Sequence, residues 1–293
     1  MVSLRAAETG RRVTDRTKPD SSNVTLIRVR SGWEALNLRE LWSRRELLWF
    51  LAWRDIRVRY KQTILGAGWA VLPPFLQMVV FSVVLGGFLK IPTDNQIPYP
   101  VFSFAALVPW TLFSAILSGT AGSLIANAAI LTKVYFPRLL IPLANVAARL
   151  VDFFVAFVIL VGMVLVFGRS ITPAIFLIPI FLLFLIVTAL GFGLWLGALN
   201  MYIRDIQMLV PFLVGLWEYA SPVVYSANSV PPAWRLIYAL NPMTGVLVGF
   251  RWCLLGTAPP GPENWASVVI ALVMFISGVT VFQRVQRNMV DIL

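Results

Sequence analysis

Long, almost uncharged apolar runs dominate the chain, at residues 65–89, 99–126, 139–167, 173–199, 208–226 and 265–283. A helix needs about 20 apolar residues to cross a hydrocarbon core of about 30 Å, so the pattern predicts six transmembrane helices. The runs are continuous and lack the ten-residue alternating segments of a membrane β-barrel, which excludes that fold. Upstream, Trp49, Trp53, Ile56 and Tyr60 recur at steps of four, three and four, with Arg54, Arg57 and Lys61 on an adjoining face. That is the period of an amphipathic helix lying in the membrane interface. Between the fifth and sixth runs, the apolar pieces 234–240 and 243–256 are too short to cross and predict interfacial or re-entrant helices.

These elements make an all-α membrane protein. Residues 1–30 form a polar tail, 31–63 the interfacial helix, 64–283 a six-helix domain and 284–293 a second tail. Composition agrees, with 59% hydrophobic and 13% charged residues, where soluble domains average about 45–50% and about 25%. Nineteen of the 24 Lys and Arg fall on one side of the predicted membrane and four on the other, with Arg149 inside a span. The positive-inside rule then puts both termini in the cytoplasm. This asymmetry accounts for the net charge of +11 without nucleic-acid binding. The first 30 residues lack the apolar core of a cleavable signal peptide.

The missing residue types restrict the chemistry. There is no histidine and one cysteine, Cys253, so histidine-based metal sites, catalytic triads and Cys-His pairs are excluded. No Gly-x-x-x-x-Gly-Lys-Ser/Thr loop occurs, so any ATP that drives the chain is bound by another subunit. Charges within the spans are few: Arg149 and Asp152, three residues apart and able to pair on one helix face, and Glu218 without an evident partner. Two acids without histidine make a poor proton relay. In the second run, Ser103, Leu107, Trp110, Ser114 and Ser118 form a mildly polar stripe suited to helix packing or to a polar path. Ala189, Gly193 and Gly197 in the fourth form a small-residue ladder that lets helices approach closely. The segment 131–138 is too short to span and too apolar for an idle loop, and suits either an interfacial connector or a short helix docking on a partner.

The stretch Trp53-Arg54-Asp55-Ile56-Arg57-Val58-Arg59-Tyr60-Lys61-Gln62-Thr63, followed by Leu65-Gly66, Trp69 and Pro73, resembles the start of the membrane subunit of ABC-2-type polysaccharide exporters. Lys133-Val134-Tyr135-Phe136-Pro137-Arg138 is similar to that family's coupling segment. Tyr202-Ile203-Arg204-Asp205-Ile206 looks like its second cytoplasmic loop, and Leu240-Asn241-Pro242 its outer gate region. The resemblance covers about residues 30–290 in the expected order.

It implies a half-transporter of the bacterial inner membrane. A second copy completes a channel, two ATP-binding cassette subunits carry ATP and magnesium, and a lipid-linked polysaccharide is the cargo. This chain itself would bind no cofactor and catalyse no reaction. Arg54, Arg57, Lys133, Tyr135, Phe136, Arg138, Arg204 and Asp205 would then face the ATPases. Aromatic faces stack on sugar rings, which nominates Phe81, Phe88, Trp110, Phe113, Trp217, Tyr219 and Tyr225 as channel lining. Export of a small lipid or drug, a membrane-embedded glycosyl or lipid transferase, and an ATP-independent carrier are the competing expectations.

Overall fold

Among the residues that the computed structural model describes, 38–131, 136–169 and 172–287, every regular element is helical. A short α1 (Leu38–Ser43) leads into α2 (Arg45–Tyr60). A 3-10 turn, Gly66–Ala70, precedes α3 (Leu72–Phe81), which continues as π-helical turns over Ser82–Phe88. Then come α4 (Tyr99–Ala126), α5 (Ala128–Leu131), α6 (Leu140–Val166), α7 (Ile178–Asn200) and α8 (Ile206–Tyr219). The chain closes with α9 (Arg235–Ala239), α10 (Pro242–Leu255) and α11 (Trp265–Arg287). Prolines occupy the first turns of α3, α4, α7 and α10. There a missing N–H costs nothing, because those donors have no partner within the helix.

Four helices are long and apolar enough to cross a membrane: α4, α6, α7 with its preceding turn, and α11. The chain is thus a multi-pass membrane protein. The first and fifth runs form shorter apolar helices, Leu72–Phe88 and Ile206–Tyr219. At about 1.5 Å per residue α8 is roughly 21 Å long, less than the hydrocarbon thickness. The fifth run predicted helix to residue 226, but the chain turns out of the helix after Tyr219, before Pro222, for a reason given below.

The core centres on α4, which packs against α3, α6, α7, α8 and α10. It is apolar on all sides, with Phe102, Phe104, Leu107, Phe113, Ile116 and Leu117 buried, as a helix surrounded by other helices should be. The small-residue ladder of α7 does serve packing. A Cβ on Gly193 would lie 2.8 Å from that of Thr120, and one on Gly197 3.2 Å from the Thr120 carbonyl. On its other side α7 meets α11 at a second close approach, Gly191 against Phe275 and Gly278.

Helices α9 and α10 match the two short predicted pieces, and α10 is almost wholly buried among α4, α7 and α11. Gly245 lies against Phe184 and Gly249 against Phe181, so α10 runs back toward the start of α7. Its end reaches Asn95, whose side chain donates to the Gly256 carbonyl. Helix α2 packs along α6, through Leu51 and Ala52, which are buried. The aromatic stripe points elsewhere: Trp49 and Trp53 stack with ring centroids 6.2 Å apart and stay exposed, and Arg57 lies over Trp53.

Candidate functional site

Three polar constellations interrupt the apolar bundle. The first joins α2 to α6. Asp152 accepts from both Arg59 and Tyr60 at the end of α2. The Arg149–Asp152 pair expected from their spacing is present only at 3.9 Å. Arg59 is the better partner because it approaches the carboxylate from a facing helix. Burial first, and then the carboxylate, push the Tyr60 hydroxyl up to about 12, so it remains a donor at neutral pH. Nearby, Arg54 donates to Asp55 and to Asn127, which links α2 to the end of α4. Replacing Asp152 with Asn removes the charge that both donors share. Charge-assisted bonds contribute about 1.5–3 kcal/mol, so backbone hydrogen–deuterium exchange in α2 should accelerate about tenfold while α7 stays protected.

The second constellation lies where α3 and α8 meet. Glu218 has a partner that the sequence did not reveal: Gln77 of α3 donates to its carboxylate, and Trp110 of α4 reaches the same group. Behind it runs a chain of rings. Trp110 and Phe113 have centroids 5.2 Å apart, Phe113 and Trp217 5.0 Å, and Trp217 and Phe192 4.8 Å. Two of the expected lining residues lie inside the protomer. Phe113 is fully buried and Trp110 is 3% exposed, so within the protomer these rings meet only protein. Phe81 and Trp217 are half-buried, while Phe88 and Tyr219 are exposed on the outer faces of α3 and α8. Of the stripe on α4, Ser103, Leu107 and Trp110 are buried, with the Ser103 hydroxyl donating to the Tyr99 carbonyl in its own helix, while Ser114 and Ser118 are half-buried.

The third was not foreseen. Arg251 of α10 is 2% exposed, yet its guanidinium donates to the carbonyls of Phe102, Pro222, Val223 and Tyr225 and lies 3.6 Å over the Phe102 ring. These carbonyls explain the early end of α8: residues 220–225 leave the helix and give their backbone acceptors to Arg251. A lone arginine inside an apolar stretch of fourteen residues was the available signal. Asn241, from the expected gate region, completes the junction. Its side-chain oxygen accepts from the Trp217 indole and caps α10, and its side-chain amide donates to Ser221. Tyr238 donates to Tyr225, whose own hydroxyl donates to the Tyr219 carbonyl.

Of the remaining expected contact residues, Arg204 and Asp205 are exposed beside the start of α8, and Arg57 is exposed on α2. Phe136 is 5% exposed, an anchor of the bundle rather than a surface group. Arg138 is half-buried, and Lys133 and Tyr135 lie outside the described residues. Among the described residues no cluster of three His, Cys, Asp or Glu could hold a metal.

Comparison with known proteins finds a family and relatives that match most of the chain. The family described as ABC-2 type transporter matches residues 46–255, from α2 to the end of α10. The O-antigen export system permease protein RfbA of Myxococcus xanthus is 29% identical over 249 residues, 84% of this chain and 95% of that protein. An RfbA of Klebsiella pneumoniae is 26% identical over 255 residues, covering 85% and 95%. The polysialic acid transport protein KpsM of Escherichia coli is 26% identical over 200 residues, covering 66% and 75%.

Proposed function

We propose, from the premise that this chain belongs to the ABC-2 type transporter family, that it is the permease subunit of an ATP-driven exporter of a lipid-linked cell-envelope polysaccharide. The observation that carries this reading is the alignment, over most of both chains, with relatives named as O-antigen export permeases. KpsM, named for polysialic acid transport, supports the same class of cargo.

In this reading two copies enclose the conduit, and the face bearing α3 and α8 is its wall. Short helices are tolerated there, because a segment that lines a water-filled path need not match the lipid thickness. The two short helices raise the four long ones to six crossings, with both termini in the cytoplasm of the inner membrane, as the charge asymmetry supports. Phe88, Tyr219 and the Gln77–Glu218 pair then face the moving glycan, and α9 and α10 form its re-entrant outer end. Two cassette ATPases, which hold ATP and magnesium, dock beneath α2 and the loops containing Arg138 and Arg204. Their closure shifts the conduit between states only if they contact those states differently.

The experiment is deletion of the chain in its own organism. Surface polysaccharide should disappear while lipid-linked polymer accumulates inside, and the tagged chain should carry an ATPase through purification. Undiminished surface polymer, or a purified chain that hydrolyses ATP alone, would overturn the reading.

A further inference from the structure

A pocket of about 210 Å³ opens where the end of α2, the turn before α3, α4 and α6 converge. Its polar lining is Arg59, Tyr60, Thr111, Arg149 and Asp152, and its apolar walls include Trp69 and Phe153. The charges do not balance, since two guanidinium groups share one carboxylate. Asp152 is already engaged by Arg59 and Tyr60, and the Thr111 hydroxyl is spent on the Leu107 carbonyl. Among the described residues the polar partners of Arg149 are the Asn145 side chain at 3.4 Å and Asp152 at 3.9 Å. A fork of five donors thus faces the pocket with most of them uncommitted. A charged group inside a membrane helix costs free energy unless it is paired, so an under-partnered arginine there marks a ligand.

The surroundings specify the ligand. Arg149 lies nine residues into α6, at the level where α2 packs alongside, and the pocket is polar on its α2 side and apolar along Pro73, Pro74, Leu112 and Ala156. A free anion would use the first part only; an amphiphile uses both. A guanidinium fork also matches phosphate oxygens bidentately, as a lysine cannot. We propose that this pocket binds the phosphate group of a membrane lipid, with Arg149 as the principal ligand, Arg59 beside it, and the lipid's chain along the proline-lined wall. The inference rests on the export reading only in placing this end of the bundle at the cytoplasmic leaflet.

Two sources offer that chemistry: an isoprenoid diphosphate of the kind that carries glycans, and a bulk anionic phospholipid. The test uses the purified full chain in phosphatidylcholine nanodiscs, titrated with farnesyl diphosphate. The signal is Trp69 fluorescence, with Trp69→Phe as the blank. The parental chain should respond. Arg149→Gln, checked for helical content by circular dichroism, should bind about tenfold more weakly, and Arg149→Lys should fall between, because one charge-assisted contact is lost or reduced. If doping with phosphatidylglycerol displaces farnesyl diphosphate, the site takes bulk lipid; if it does not, the site selects the isoprenoid carrier. Either result supports a lipid-phosphate pocket. A silent parental chain, or a folded Arg149→Gln that binds as tightly as the parent, overturns it. Those outcomes leave export and ATPase co-purification untouched, so failure of this site and failure of the transporter reading are distinguishable.

Discussion

Replacing Arg251 with Met should lower the thermal midpoint of the purified chain by about 10 °C, among the largest effects of any single side chain. The guanidinium satisfies the carbonyls of Phe102, Pro222, Val223 and Tyr225. The last three belong to a stretch that has left its helix and has no backbone donors of its own to offer them. Each buried acceptor left empty costs about 1–3 kcal/mol. Removing the charge recovers part of its own desolvation cost, so the net loss from the four acceptors is about 3–5 kcal/mol. At this chain length that corresponds to a midpoint shift of about 10 °C. Lysine should recover only part of it, because one ammonium cannot span four carbonyls that a planar fork reaches together. A methionine variant within about 2 °C of the parent would show that residues 220–225 find other donors.

Gly278→Val should weaken the bundle on the opposite side of α7 to a similar degree. A Cβ at Gly278 would lie 2.5 Å from the Gly191 carbonyl oxygen, and one at Gly191 2.7 Å from the Phe275 nitrogen. Both obstacles are backbone, so only separation of α7 from α11 could relieve the clash. Between membrane helices, burial from water supplies little attraction, and close backbone packing carries the contact. Alanine at 278 should cost about 1–3 kcal/mol, the usual price of overpacking, and valine more. Gly162→Ala is the control, because a Cβ there meets nothing within 4 Å. It should raise stability slightly, since alanine exceeds glycine in helix propensity by about 1 kcal/mol. Unfolding in detergent with increasing denaturing surfactant would rank the three. Equal behaviour of Gly278→Val and Gly162→Ala would rule out the α7–α11 contact as a determinant of stability.

The helices themselves were largely legible. The second run, 99–126, is α4 to the residue, the third lies within one residue of α6, and the two short pieces after 233 are α9 and α10. The packing role of Gly193 and Gly197 could also be read from spacing. The candidate site was less legible because its contacts are distant in sequence. Gln77 and Glu218 are 141 residues apart, Tyr60 and Asp152 are 92 apart, and Arg251 lies 29 from the Pro222 carbonyl. Side-chain direction was equally hidden. Phe113 and Phe88 are both aromatic residues in apolar runs, yet one is wholly enclosed and the other 78% exposed.

Hydropathy and residue period were sufficient, without coordinates, to require an all-helical membrane protein. The bilayer imposes that result, since each backbone group must be satisfied locally and each apolar stretch must be long enough. Tertiary structure alone decided which carboxylate holds which arginine, where α8 stops, and that α10 turns back into the bundle. Those outcomes depend on which donors meet which acceptors once the helices pack, and no local pattern encodes a partner that another helix supplies.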